Sequence, residues 1–215
     1  MNDLLRYVPV FAEGLWGTVR IAVVCLCASL PLGLIIGMGR YSRSWYWAIP
    51  TRVYVEVFRN TPVLVLIMWF FFAFPTIAPF DVDAYTAATL ALTLNSSAFF
   101  AEVFRAGIQS IGRGQWDAAR ALGMSYRWQM QRVILPQAIK RMIPAITNRW
   151  IELFKLTSLA SVIAYQDLIH TAKLISSAYF NPVQTFTIAA LIYFAMIYPM
   201  VRMLYFIEAK LKRGD

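Results

Sequence analysis

Residues 109–144 read QSIGRGQWDAARALGMSYRWQMQRVILPQAIKRMIP, the one long stretch of the chain that is amphipathic rather than hydrophobic. Trp116, Ala119, Leu122, Met124, Trp128 and Val133 interleave with Arg113, Arg120, Arg127 and Arg132. Asp117 opens a helical run that Gly123 can end, since glycine takes the left-handed conformation at a helix C-terminus at little steric cost. Ser125 can cap a second short helix starting near Tyr126. Pro136 and Pro144 mark the entry to the next apolar segment. The pattern predicts two short helices, a rigid knob from about 110 to 140, at a membrane surface. A basic interfacial helix held to anionic lipid is the simplest use for such a segment.

The rest of the chain makes the membrane unavoidable. Of 215 residues, 60% are hydrophobic and only 14% charged, against about 25% charged in an ordinary soluble domain. Nineteen residues without charge lie between Arg20 and Arg40, 21 between Arg59 and Asp81, 18 between Asp83 and Glu102, and 28 from Leu174 to Val201. A helix crossing the hydrocarbon core needs roughly 20, so each of these can span. A fifth candidate, Ile143 to Ala164, carries Arg149, Glu152 and Lys155. Cys25 and Cys27 lie within the first span as small apolar side chains, and the N-terminus lacks the features of a cleaved signal. The +9 formal charge does not mark a nucleic-acid surface, because the basic residues fall between apolar segments.

Lys and Arg in the connections set orientation. Arg40, Arg43 and Arg52 follow span one, whereas Phe74 to Tyr85 has Asp81 and Asp83 and no base. From Arg105 to Arg149 there are eight basic residues against Asp117 alone. The outer turn, Tyr165 to Pro182, has one Lys, one Asp and the lone His170; Lys210, Lys212 and Arg213 close the chain. Basic and non-basic connections alternate, which requires five spans, an outside N-terminus and an inside C-terminus. The expected fold is a single all-α membrane domain over residues 1–215.

The order Asp117-Ala118-Ala119, three residues, Gly123, nine residues, Val133-Ile134-Leu135-Pro136 resembles the EAA loop of ABC importer permeases. It departs from that family's pattern at Asp117 (Glu) and Val133 (Ile), both conservative. The resemblance continues in Gly14 and Thr18, in Tyr54, Glu56, Phe58, Arg59, Thr61 and Pro62, and in Glu102, Phe104, Arg105, Gly107 and Ile108. Arg113-Gly114-Gln115 and Lys155-Leu-Thr157-Ser158-Leu159 extend it. Together these look like the polar amino acid branch of type I importers. The resemblance implies that Asp117, Ala118, Ala119, Arg120, Leu122 and Gly123 form a coupling helix docked on a cytoplasmic ATPase dimer. It also implies a second permease copy, identical or homologous, a periplasmic or tethered substrate-binding protein, and a bacterial inner-membrane location. The chain has no phosphate-binding G-x-x-x-x-G-K-[ST] loop, so ATP and Mg would be bound by the partner, and this chain is no enzyme.

Ionisable residues inside spans are costly and are functional candidates by default. Lys155 lies roughly 21 Å along span four and Asn95 about 18 Å along span three, both near mid-membrane. Glu152 shares the face of Lys155; Ser96 and Ser97 adjoin Asn95; Leu-Thr-Ser-Leu at 156–159 could open the helix. For an amino acid zwitterion, Lys155, Ser158 and free N–H groups near Thr157 suit the carboxylate, and Asn95 and Glu152 the ammonium, with Ser96 beside them. Alternatively a Glu152–Lys155 pair only fastens the span. Glu56–Arg59 and Glu102–Arg105, each three residues apart, are gate contacts or structural ion pairs. Trp45, Tyr46 and Trp47 suit an interfacial anchor. An ion-gradient-driven secondary transporter would use the same midplane charges without needing the loop spacing. An intramembrane enzyme would need a nucleophile–base set that the sequence does not offer.

Overall fold

A computed structural model describes residues 2–41, 44–77 and 81–212, and all regular structure among them is helical. Arg43 and Arg213, used above for orientation, lie outside the described residues. In chain order the helices are α1 (Asn2–Tyr41), α2 (Trp45–Asn60), α3 (Val63–Met68), α4 (Ala84–Gln109), α5 (Arg113–Ala121), α6 (Tyr126–Gln129), α7 (Leu135–Leu156), α8 (Leu168–Tyr179) and α9 (Pro182–Lys212). A π-turn at Trp69–Ala73 and a 3-10 turn at Phe74–Thr76 extend α3. A second π-turn, Met130–Ile134, leads into α7, and a 3-10 stretch, Thr157–Ile163, follows it.

Helices α1, α4 and α9 are long and apolar enough to cross a membrane. The uncharged run from 60 to 80 is not one straight helix. The chain bends by 103° between α2 and α3, because Thr61, preceding Pro62, is pushed out of the helical region to φ −84°, ψ 130°. The Thr61 N–H and hydroxyl both bond to the Val57 carbonyl, closing the end of α2.

The run from Leu174 to Val201 is likewise divided. Phe180 turns left-handed at φ 53°, Asn181 accepts the Gln184 N–H, and Pro182 opens α9. Sequence periodicity missed α8 altogether, which occupies most of the expected outer turn. It is short, and its buried residues Leu168, Thr171, Ala172 and Ile175 are too mixed in polarity to stand out.

The close contact of α1 with α4 rests on small residues, the usual means of helix association where lipid removes the hydrophobic drive. A Cβ on Gly33 would stand 2.8 Å from the Ser97 carbonyl oxygen, so the two backbones meet there. Ala87, Ala88, Ala91, Ala98 and Ala101 of α4 are fully buried. Ile21 and Cys25 of α1, Leu66 and Ile67 of α3, Leu92 of α4 and Leu153 of α7 share one core cluster, which fixes the depth of α4 relative to α7. Cys27 faces outward and both cysteines are free.

A buried arginine cluster and an exposed coupling loop

Pro62 ends α2 beside the middle of α4, where Asn95 donates from Nδ2 to the Phe58 carbonyl at 2.7 Å. The amide oxygen of Asn95 accepts from Arg149 at 2.5 Å, and the same guanidinium nitrogen lies 3.3 Å from the Ser96 hydroxyl. Arg149 also packs over the Phe99 ring, its Cζ 3.9 Å from the centroid, and pairs with Glu152 at 2.9 Å. This guanidinium is only 5% exposed while Glu152 is 55% exposed. The polar groups of α4 and α7 therefore meet as the sequence suggested, but through a residue it had not placed in the site.

The partner of Glu152 is Arg149 and not Lys155. Both are three residues from Glu152, so helical spacing could not choose; the choice was made by α4, which presents Asn95, Ser96 and Phe99 to the Arg149 side. Lys155 is exposed. Thr157 and Ser158 bond back to the carbonyls of Phe154 and Lys155 at 2.8 and 2.7 Å, and α7 passes into its 3-10 stretch there. The helix tightens there rather than opening as expected: the Thr157 N–H still bonds to the Leu153 carbonyl and is not free, and the two hydroxyls close the last turn.

Toward the other end of α4, Glu102 gathers three arginines. It pairs with Arg40 and Arg105, and Arg59 lies 3.8 Å away. The expected Glu102–Arg105 pair is present. The Glu56–Arg59 pair is not: Glu56 accepts from Asn60 at 2.9 Å, and Arg59 points across to α4.

The basic loop folds as two short helices about a glycine. Helix α5 starts at Arg113, four residues before Asp117, and Gly123 ends it at φ +72°. The N–H groups of Gly123 and Met124 close on the carbonyls of Arg120 and Ala119 at 2.9 and 3.2 Å. Ser125 stands at the N-cap of α6 in extended conformation without a side-chain cap bond. Gln129 instead holds the turn by donating to the Met124 carbonyl at 2.6 Å. Ala119 is buried beneath the knob, while Asp117, Ala118, Arg120 and Gly123 face out and Leu122 is 80% exposed. Asp117 and Arg120 pair at 2.7 Å.

The knob is tied to α7. Gln137 of α7 donates to Gln115 at 3.0 Å, and Arg141 reaches the Ser110 carbonyl. Trp116, Met130 and Val133 pack against a buried group formed by Ile111, Ile134, Ala138 and Met142.

A second polar residue escaped the sequence reading. Asp167, in the connection before α8, is fully buried. Its Oδ1 accepts the His170 N–H at 2.7 Å, while Oδ2 has no partner. Burial pushes its carboxyl up to about 6. A raised carboxyl pKa means that the folded chain holds the proton more tightly than the unfolded one. Its contribution is therefore most favourable below about pH 4 and is lost as pH rises toward about 6. Asp167→Asn should raise thermal stability at pH 7.5, by up to about 3 kcal/mol, with little gain at pH 4. Melting in detergent at the two pH values checks this; equal effects at both would contradict it.

Residues 29–213 match the family described as binding-protein-dependent transport system inner membrane component. The arginine transport system permease protein ArtQ of Bacillus subtilis is 36% identical over 97% of this chain and 95% of its own length. The glutamine transport system permease protein GlnP of Escherichia coli is 34% identical over 95% and 94%. A crystal structure of an amino acid ABC transporter with histidines superposes at TM-score 0.93 with 34% identity, covering 97% of both chains. A chain of the MetNI methionine ABC transporter, 18% identical, shares the fold at TM-score 0.74 over 94% of this chain and 98% of its own. Similarity over nearly the whole length, a matching fold and the loop geometry agree: the chain belongs to the family of membrane-embedded permease subunits of binding-protein-dependent ABC importers.

Proposed function

We propose that this chain forms the translocation path of an importer for polar amino acids in a bacterial inner membrane. It pairs with a second permease copy, two cytoplasmic ATPases and an external substrate-binding protein. Five spans fit best as α1, the bent α2–α3 pair, α4, α7 and α9. The alternation of basic and non-basic connections favours an outside N-terminus and an inside C-terminus. ATP and Mg belong to the partner ATPase. The amino acid reading draws support from relatives named for arginine and glutamine transport.

The observation that carries the mechanism is the fastening of α5 to α7. Closure of the ATPases would displace the knob formed by Asp117, Ala118, Ala119, Arg120, Leu122 and Gly123. Gln115–Gln137, Arg141–Ser110 and the apolar packing around Ile134 would pass that motion to α7. The second half of α7 carries Arg149, bonded to Asn95 and Ser96, then Glu152 and Lys155, with Thr157 and Ser158 just past its end, so α7 runs from the knob to the substrate-depth residues. The Glu102 cluster, with Arg40, Arg59 and Arg105, would tie α1, α2 and α4 together on the side closer to the cytoplasm.

Reconstitution in vesicles tests this reading. Uptake should require ATP, the ATPase and the binding protein, and should survive collapse of ion gradients. Gradient-driven uptake by this chain alone would instead establish a secondary transporter.

A further inference from the structure

The polar groups in the second half of α7 have a surplus of donors. Arg149 and Lys155 carry two positive charges against one carboxylate, Glu152. Asn95 has spent its oxygen on Arg149 and its amide on Phe58. Arg149 Nε is buried without a partner, and Lys155 Nζ has no hydrogen bond or ion pair among the described residues. An ammonium carries three donors and no acceptor, and a guanidinium five donors and no acceptor. The free anionic acceptor among these described residues is the second oxygen of the half-exposed Glu152. A lone Lys facing hydrocarbon costs about 2.5–3.5 kcal/mol, which argues that Lys155 faces the path.

Resting on the amino acid reading above, we propose that the ligand bound at this depth is an amino acid with a carboxylate side chain. Glu152 turns from Arg149 to the ligand ammonium, Arg149 takes one carboxylate, and Lys155 takes the other. Each charge then meets its opposite, and the net charge of one plus at the empty site is cancelled by the net charge of one minus on the ligand. A neutral amino acid leaves one of the two cations unmatched. A basic one brings two cations to a site with one carboxylate, where like charges repel by about 4 kcal/mol at close range. Arg149 and Lys155 are six residues apart, about 9 Å along the helix and roughly 120° around it with Glu152 between them, a gap their long side chains must narrow around a dicarboxylate.

Equilibrium binding of radiolabelled L-glutamate, L-glutamine and L-arginine to the intact permease–ATPase complex in nanodiscs tests the proposal. Glutamate should bind at least tenfold more tightly than glutamine, with arginine weakest. Lys155→Gln, at an exposed position where folding is spared, should weaken glutamate at least tenfold and bring the glutamate-to-glutamine ratio toward one. Glu152→Gln should weaken glutamate but strengthen glutarate, which lacks the ammonium; a merely structural Glu152 would shift both alike. Glutamine or arginine binding as tightly as glutamate, an unchanged ratio in Lys155→Gln, or no binding of any of the three would overturn the assignment. If other amino acids still enter vesicles with ATP, the importer reading stands; if none does under any condition, that reading fails instead.

Discussion

Gly123→Arg is expected to reduce association with the ATPase at least a hundredfold while the permease still inserts and folds. Gly123 sits at φ +72° on an exposed tip, and a Cβ there meets no atom of the chain within 4 Å. The substitution therefore introduces no internal clash, and the left-handed backbone costs a non-glycine residue roughly 1–2 kcal/mol. That cost falls on a short surface loop and is far below what unfolding of the whole chain requires. Close approach of a partner surface, by contrast, is blocked by the long side chain. Copurification of the tagged ATPase, beside the size-exclusion profile of the permease alone, separates the two effects. Unchanged copurification would show that the knob does not dock through this point. Gly123→Ala serves as a control, with nearly the same backbone cost and little added bulk, and should retain most of the association.

Arg149→Met is expected to destabilise the chain by about 3 kcal/mol, the lower end of the range for breaking a buried ion pair from one side. The lower end applies because Glu152 is 55% exposed and can rehydrate, whereas Asn95 and Ser96 are buried and would lose their donor. The melting temperature in detergent should fall clearly. Adding Glu152→Gln should cost less than it does in the parent chain, which a double-mutant cycle measures. Additive effects would mean that the pair is not energetically coupled. For comparison, breaking the exposed Asp117–Arg120 pair, both side chains 66% exposed, should change stability by less than about 1 kcal/mol.

The two residues differ in how far the sequence revealed them. Gly123 could be read directly, because a helix terminator acts locally: small residues before it, glycine, then a cap position make a turn whatever the surroundings. Helix α5 began four residues earlier than read because Gly112 and Arg113 offer a start as good as Asp117, and capping preferences leave boundaries loose. Arg149 was visible as a charge within an apolar segment, but its partner was not. Glu152 has a base three residues away on either side, and only the packing of α4 against α7 brings Asn95, Ser96 and Phe99 to one of them. Glu56 and Arg59 teach the same point from the other direction. Their spacing allows a pair, yet Glu102 on α4 offers Arg59 a better-enclosed partner.

What the sequence determined by itself is whatever depends on runs and periods along the chain. That covers the membrane location, the long apolar helices, and the basic knob and its glycine; the break at Pro62 was not read, although its cause lies in one dipeptide. What only the tertiary structure decided is which polar groups face one another. The insertion of α8, the burial of Asp167 and the Arg149 cluster all arise where helices distant in sequence meet. In an apolar medium a polar side chain takes the nearest available partner, and nearness there is set by helix packing rather than by spacing along one helix.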